Sequence, residues 1–263
     1  LILDAKPFLA QMEVITDPDE GCPLCELDLD MDLPFSHTPS APYRMDIAIT
    51  YQCNNDCTHC YNARSRQFPS LTKHEWFKVI DKIWELSIPH IVFTGGEPTL
   101  CDDLPDLIRY AENKGIITGI NTNGRRLADN NFLSQLVSSG LDHIQITLES
   151  SNPQIHDEMV NFPGAWAETI SGIKNVLQNK IYMMTNTTML KTNFAEIPQT
   201  LDFLAELGVP TVGLNALIYS GKGKDVGTGL SETQLAPLLE IAKEKTSKNN
   251  QKLIWYTPTH YCR

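Results

Sequence analysis

From residue 44 onward, short apolar runs alternate with longer stretches of helical periodicity, and this alternation constrains the fold most. Strands are predicted at 44–51, 90–96, 116–124, 141–150, 181–190, 209–221 and 252–256, and helices at 71–86, 102–115, 130–140, 164–180, 195–208 and 231–249. Strand–helix units that recur every 25–35 residues, roughly, predict a parallel sheet with right-handed crossovers. Six units are fewer than the eight of a closed barrel, so an open partial barrel and a doubly wound sheet both satisfy the pattern.

Composition is typical of a globular enzyme. Of the 263 residues, 41% are hydrophobic and 20% are charged, and a chain of this length can bury a core without disulfides. No apolar run approaches the roughly 18–20 residues of a membrane helix. The N-terminus lacks the basic start and long apolar stretch of a secretory signal. We therefore expect neither an integral membrane protein nor a secreted one.

The formal net charge of −11 is concentrated near the N-terminus. Eight acidic residues and no Lys or Arg lie between Glu13 and Asp32. Because no part of the chain resembles a polyphosphate-binding surface, we expect no nucleic-acid partner. Residues 1–43 are predicted to be an irregular acidic extension, either a solvated tail or a docking arm for a basic partner.

The seven cysteines are clustered, which favours reduced thiols and metal chemistry over disulfides. Cys22 and Cys25 form a C-x2-C pair inside the acidic extension. Such a pair can be half of a zinc site, a redox pair or two cluster ligands. The neighbouring acids would raise the thiol pKa values and disfavour redox chemistry, so we favour a metal site completed by other residues. Cys101 is predicted to be a packing residue.

Residues of unusual chemistry follow each of the first six predicted strands. These segments are the cysteine-rich loop after the first strand, then TGGEPTL (94–100), NTNG (121–124), TLES (147–150), TNTT (185–188) and LIYSGKG (217–223). In parallel α/β folds the carboxyl ends of the strands meet at one edge, where sites form. The sequence therefore predicts a single site built from all six strand ends.

The loop after the first strand carries Cys53, Cys57 and Cys60 with the spacing C-x3-C-x2-C. Thiolates are the usual ligands of iron–sulfur clusters, and close spacing lets one loop wrap one cluster. Zinc would require a fourth Cys or His at tetrahedral distance, and His59, next to Cys60, is badly placed to supply it. Three ordinary buried cysteines are the weaker alternative in a loop so rich in Asn and Asp. The motif favours an iron–sulfur cluster, one protein ligand short of four.

This cysteine motif, followed by Tyr61, together with GGEP after the second strand, resembles the radical S-adenosylmethionine (radical SAM) superfamily over residues 44–221. The resemblance implies that the three cysteines hold a [4Fe-4S] cluster whose fourth iron is chelated by S-adenosylmethionine (SAM). It implies an enzyme that cleaves SAM reductively and abstracts hydrogen from a substrate with a 5′-deoxyadenosyl radical. With this resemblance, we predict an α/β fold: a partial (β/α)6 TIM-like barrel with an irregular N-terminal extension.

The resemblance also implies a set of SAM-binding residues. The motif that meets the methionine amino group matches Gly95, Gly96, Glu97 and Pro98, where glycine permits close backbone approach and the carboxylate can accept from an ammonium. Thr147 and Glu149 match positions that touch the ribose hydroxyls, although Asp is more familiar at the second. Further contacts are expected from Tyr61, Asn121, Asn123, Asn186, Ile218 and Tyr219; for the last five, a turn or core role is the alternative.

Cys262 is similar in position to the first auxiliary-cluster cysteine of SPASM- or twitch-type radical enzymes. This similarity predicts three regions: the extension 1–43, a radical SAM barrel at 44–256, and the start of an auxiliary-cluster region at 257–263. Cys22, Cys25 and Cys262 are then candidate ligands of additional metal. For Cys262, a free terminal cysteine is the alternative.

The same similarity points to a peptide or a peptide-derived cofactor precursor as the substrate. A small-molecule precursor is the alternative substrate. A non-catalytic iron–sulfur electron-transfer protein is the least favoured hypothesis, because an electron carrier needs neither a six-unit barrel nor the GGEP segment. We expect a flavodoxin- or ferredoxin-like electron donor and no membrane partner. Reduced thiols and an oxygen-sensitive cluster suit a cytoplasmic location.

Overall fold

The computed structural model describes residues 40–62, 64–179 and 181–257. Within them, seven strands form one parallel sheet whose order follows the chain. They are β1 (Met45–Thr50), β2 (His90–Gly95), β3 (Ile117–Thr122), β4 (His143–Thr147), β5 (Tyr182–Thr188), β6 (Thr211–Asn215) and β7 (Lys252–Trp255). A doubly wound sheet reverses its strand order at a switch point, and this sheet does not. The fold is therefore the predicted α/β partial barrel.

The described residues contain seven α-helices. They are α1 (Lys73–Glu85), α2 (Leu104–Glu112), α3 (Asn130–Ser138), α4 (Pro153–Val160), α5 (Ala165–Gln178), α6 (Ile197–Glu206) and α7 (Glu232–Lys248), with 3-10 turns at Pro98–Leu100, Arg125–Ala128, Phe194–Glu196 and Gly221–Lys224. At the start of α1, Thr72 and Glu75 form a capping box. No helix in this part of the chain combines the length and apolar composition needed to cross a membrane.

Helix α4 is an addition to the predicted pattern, since residues 151–163 carried no predicted element. The side chain of Asn152 accepts hydrogen bonds from the N–H groups of Gln154 and Ile155, and Pro153 occupies the first turn. Both features are sequence signals of a helix start. The helix lies between β4 and α5, and its C-terminal end supports the cysteine loop described below.

The hydrophobic core lies between the sheet and the surrounding helices. Ile91 and Phe93 of β2 are fully buried in one cluster with Ile80 of α1 and Ile108 of α2. Successive side chains of a strand point to opposite faces, and the inner face carries polar residues towards the carboxyl ends of the strands. These include Thr94, Asn121, Thr147, Asn186 and Asn215. The alternation therefore separates an apolar shell from a polar interior.

Two histidines meet near the amino ends of the strands. The Nε2 atoms of His90, which begins β2, and His143, which begins β4, are 2.7 Å apart. They meet across Gly119 of β3, where a Cβ would lie only 2.1 Å from the His143 ring. Burial and the neighbouring His90 lower the pKa of His143 to about 4. The pair is therefore neutral near pH 7, so one ring donates a hydrogen bond to the other.

Candidate active site

A cavity of about 680 Å³ opens at the carboxyl ends of the strands, a size typical of small-molecule sites. The predicted cluster- and SAM-binding residues that line it are Cys53, Cys57, Cys60, Tyr61, Gly95, Gly96, Glu97, Asn121, Asn123, Thr147, Glu149, Asn186 and Ile218. Among the described residues, Pro98 and Tyr219 do not form part of the cavity wall, and neither does Cys101. The topology thus brings most of the predicted set into one concave site.

The cysteine loop is anchored from two sides by backbone hydrogen bonds. The N–H of Asp56 donates to the carbonyl oxygen of Val160 at the C-terminal end of α4, at 3.0 Å. The N–H of Lys222, in the turn that follows β6, donates to the carbonyl oxygen of Cys60 at 2.9 Å. Elements distant in the chain therefore determine the conformation of the loop.

Arg125, directly after the NTNG segment, is a site residue that motif reasoning missed. Only 8% of it is exposed. Its Nη1 donates to the Asn54 carbonyl oxygen at 2.6 Å and to Asn55 Oδ1 at 2.8 Å, and its Nε pairs with Glu168 at 2.5 Å. Asn54 and Asn55 lie inside the cysteine motif, so Arg125 holds the loop in place. In the sequence, nothing distinguishes this arginine from a surface one.

His59, the histidine inside the motif, pairs with Glu149. Its Nε2 lies 2.9 Å from one carboxylate oxygen, and the other oxygen accepts the N–H of Thr188 at 2.9 Å. Burial opposes protonation of His59, but the carboxylate shifts its pKa upward overall. The pair joins the cysteine loop to the ends of β4 and β5. Because both Glu149 oxygens already accept hydrogen bonds within the protein, a contact with ribose stays a prediction.

Gly95 and Gly96 occupy positions where side chains do not fit. A Cβ on Gly95 would lie 2.0 Å from the carbonyl oxygen of Thr50, and one on Gly96 would lie 2.2 Å from that of Gln52. The N–H of Gly96 donates to Thr50 at 2.7 Å, and the N–H of Glu97 donates to Gln52 at 2.8 Å. The glycines therefore let the end of β2 pack directly on the start of the cysteine loop.

The side chain of Glu97 is buried and bonded within the protein. Its Oε1 accepts from the hydroxyl groups of Thr99 at 2.7 Å and Thr122 at 2.6 Å, and its Oε2 accepts from the N–H of Asn123 at 2.7 Å. Burial raises the pKa of this carboxyl, and the hydrogen bonds oppose that shift. Glu97 thus ties β2 to β3, while its contact with a methionine ammonium stays a prediction.

The three cysteines have the chemistry of cluster ligands. Burial raises the thiol pKa of Cys53 and Cys57, and for Cys57 Glu149 and the other two cysteines add to the shift. The N–H of Asn55 lies 3.4 Å from Cys53 Sγ, in the manner of the hydrogen bonds that cluster sulfurs accept. Within the described residues, no three His, Cys, Asp or Glu side chains are grouped for a single metal ion. Cysteine thiolates that are closely spaced in one loop are the usual ligands of an iron–sulfur cluster.

The ends of β5 and β6 contribute two unpaired acceptors to the cavity wall. Within the described residues, the buried Oδ1 atoms of Asn186 and Asn215 have no hydrogen-bond partner. The Nδ2 of Asn215 donates to the Ala216 carbonyl oxygen at 2.9 Å, which fixes the orientation of this amide. Buried acceptors without a partner are rare, and a ligand hydroxyl or amino group would satisfy them. Asn215 was not among the predicted residues.

The remaining residues that were predicted to bind SAM lie at different places relative to the cavity. The Nδ2 of Asn123 donates to Asn54 of the cysteine loop at 2.6 Å. Thr147 lies opposite Asn186 in the sheet. Ile218 lies at the cavity mouth and is half exposed, whereas Tyr219 lies off the cavity wall and is more exposed.

The family model of the Radical SAM superfamily matches residues 47–217. The chain belongs to the radical SAM superfamily. This radical SAM protein is an enzyme, and its cofactors are a [4Fe-4S] cluster and SAM.

Three comparisons place the radical SAM chain among known proteins. It is 32% identical over 207 residues to Fe-coproporphyrin III synthase of Methanosarcina barkeri, covering 78% of this chain and 51% of the relative. It is 27% identical over 226 residues to the AdoMet-dependent heme synthase of the same organism, covering 85% and 64%. The chain thus spans about half to two thirds of the length of these curated relatives. SuiB of Streptococcus suis, bound to its precursor peptide SuiA, has a TM-score of 0.73 at 17% identity, covering 83% of this chain and 49% of SuiB. That likeness shows the fold alone.

Cys22, Cys25 and Cys262 lie outside the described residues. Their metal-binding roles stay predictions. The same holds for the boundaries of the three predicted regions.

Proposed function

We propose that Cys53, Cys57 and Cys60 bind the [4Fe-4S] cluster, that SAM occupies the adjoining cavity, and that the substrate is a small molecule of the tetrapyrrole class. The observation that carries the site assignment is the cavity, whose wall combines the three cysteines with the glycine turn and the polar strand ends. When bound, the reduced cluster supplies the electron that cleaves SAM to the 5′-deoxyadenosyl radical. The residues of the chain position these groups and exclude side reactions.

In this proposal no protein side chain binds the fourth iron. His59 is held by Glu149 through its Nε2, and Cys101 packs against the hydrophobic core away from the cavity wall. The unpaired oxygens of Asn186 and Asn215 are suited to accept from hydroxyl or amino groups of SAM. The cysteine loop is pre-positioned by Arg125 and by the His59–Glu149 pair.

The substrate class rests on the curated relatives. Two of them are named for Fe-coproporphyrin III and for heme, and their identity of 27–32% extends over most of this chain. This supports the small-molecule alternative over the peptide hypothesis, whose support is a likeness of fold to SuiB at 17% identity. A flavodoxin- or ferredoxin-like protein is the proposed electron donor.

Anaerobic reconstitution tests the chemistry. The chain is loaded with iron and sulfide, reduced with dithionite and mixed with SAM, and 5′-deoxyadenosine is quantified by liquid chromatography. We expect product from the wild type, none from Cys57→Ala, and wild-type yield from Cys101→Ala, the matched cysteine control. Product from Cys57→Ala would show that the ligand assignment is wrong, and an intact cluster without product would refute SAM cleavage.

The substrate class has a separate test. Fe-coproporphyrin III, heme or a precursor peptide is added to the same assay, and 5′-deoxyadenosine is compared with the amount formed from SAM alone. We expect stimulation by at least one of the porphyrins and none by the peptide. Stimulation by the peptide alone would restore the peptide hypothesis.

A further inference from the structure

Three arginines line the site cavity, and two of them are already paired. The Nε and Nη2 groups of Arg44 donate to the two carboxylate oxygens of Asp46, at 2.6 and 2.9 Å. Arg66 binds Asp56 at 2.9 Å. Arg64 has no carboxylate within 4.0 Å among the described residues; its recorded side-chain contact is a ring, that of Phe68. Among the arginines that the structure describes in the cavity wall, Arg64 is therefore the one with free hydrogen-bond donors.

The segment that carries Arg64 is held against the barrel. The Arg64 N–H donates to Asn62 Oδ1 at 2.9 Å, and the Asn62 amide donates to the Gly95 carbonyl oxygen at 3.4 Å. The guanidinium lies 5.3 Å from the Phe68 ring centroid, and Phe68 packs edge-on against Tyr51 at 5.5 Å. These contacts orient Arg64 at the cavity mouth while leaving it exposed.

The acidic side chains in the cavity wall make an unpaired guanidinium important for the binding of an anionic ligand. The cavity wall contains the buried carboxylates of Glu97 and Glu149. An anionic ligand is repelled by such a wall unless a cation receives its charge. A guanidinium presents a planar fork of N–H donors that matches the two oxygens of a carboxylate.

The rest of the mouth is suited to an apolar ring system. Tyr61, Ile218 and Tyr256 all line the cavity and are exposed. Exposed aromatic and aliphatic surface beside an unpaired guanidinium matches a planar molecule with peripheral carboxylates.

We propose that Arg64 binds a carboxylate of the substrate at the mouth of the cavity. This inference rests on the proposed tetrapyrrole substrate, whose propionate groups supply the carboxylate. The carboxylate of SAM has the same chemistry, so the test must separate the two sources. Arg64 acts as a specificity-determining residue that orients the substrate ring at the cavity mouth.

The test measures binding of Fe-coproporphyrin III and of its tetramethyl ester to the reconstituted protein, by anaerobic titration of the porphyrin absorption band. The variants are Arg64→Gln, Arg64→Lys and, as the exposed-arginine control, Arg109→Gln on α2. For Arg64→Gln we expect a Kd for the free acid about 3- to 10-fold higher, with the ester unaffected. Arg64→Lys should recover part of the affinity, and Arg109→Gln should bind as the wild type does. SAM-only cleavage should keep its KM for SAM in all three variants.

Equal affinity of the wild type and Arg64→Gln for the free acid would overturn the inference. So would a higher KM for SAM in Arg64→Gln with porphyrin binding unchanged, since the carboxylate would then be that of SAM. A wild type that cleaves SAM but binds no porphyrin would refute the substrate class together with this inference. A wild type that does not cleave SAM would instead refute the proposed chemistry.

Discussion

Arg125→Met would remove the buried guanidinium from the cysteine loop and leave an unbranched apolar side chain in its place. The wild-type group donates to the backbone of Asn54 and the side chain of Asn55, both inside the C-x3-C-x2-C motif. It also pairs with Glu168 and lies 3.7 Å from the Phe162 ring centroid. We expect the variant to fold with a loosened loop.

The expected loss in the free energy of unfolding follows from these contacts. Each lost hydrogen bond from a charged donor costs about 1.5–3 kcal/mol. The pair with Glu168 contributes about 0–1 kcal/mol, because 49% of that side chain is exposed. Removing a buried cation offsets part of the loss, since its desolvation cost disappears. The free energy of unfolding should therefore fall by about 2–4 kcal/mol.

Two measurements check this expectation. Denaturant unfolding of the cluster-free protein reports the loss of stability, and iron per chain after anaerobic reconstitution reports whether the loop still accepts a cluster. Arg126→Met is the matched control, because Arg126 donates to the Thr99 carbonyl oxygen and lies over the ring of Phe132 instead. It should lose stability but keep its iron. If Arg125→Met bound iron as fully as Arg126→Met, the assignment of Arg125 to loop positioning would be refuted.

Three further changes give distinct outcomes. Gly96→Ala places a Cβ 2.2 Å from the backbone oxygen of Gln52, so SAM cleavage, measured as 5′-deoxyadenosine, should fall by more than tenfold. Gly164→Ala meets no atom within 4 Å but has a φ of 84°, so it should lose about 1–2 kcal/mol of stability and keep wild-type activity. Equal activities of the two variants would contradict the steric argument. Glu149→Ala leaves the His59 ring and the Thr188 N–H without their acceptor. The free energy of unfolding should fall by about 2–3 kcal/mol, and less iron should bind after reconstitution. Wild-type stability in denaturant would contradict the role of Glu149 as a buried acceptor. In the folded protein His143 has a pKa of about 4, below its ordinary 6.5, so the unfolded chain takes up the proton first on acidification and stability declines between pH 6.5 and 4. In denaturant titrations of cluster-free protein, His143→Gln should lose stability less steeply over that pH range. An unchanged slope would refute the assignment of this pH dependence to His143.

Much of the fold was predictable because its signals are local. Apolar periodicity located each strand and six of the helices. The end of β6 was predicted too far along, to residue 221, whereas the strand stops at Asn215. The chain then leaves the sheet so that Lys222 can contact Cys60, and no local pattern reports such a distant contact. Helix α4 was missed although Asn152 and Pro153 signal its start.

The candidate site was predictable in part. The cysteine spacing and the GGEP segment each report a chemical requirement within a few residues, and they led to the cavity. Arg125 and Asn215 were not predicted, because nothing next to them in sequence distinguishes them from other polar residues that follow strands. Their roles depend on burial and on partners supplied by other strand ends.

By itself, the sequence determined the strand–helix alternation, the cysteine motif and the edge of the sheet where a site would form. Each of these follows from residues close together in the chain. Only the tertiary structure decided between a partial barrel and a doubly wound sheet, because strand order is a property of pairing. It also decided that Glu97 and Glu149 are bonded within the protein and that Arg64 has no carboxylate partner in the described residues. Those distinctions arise from hydrogen bonds and charges between segments far apart in sequence, which only folding brings within reach.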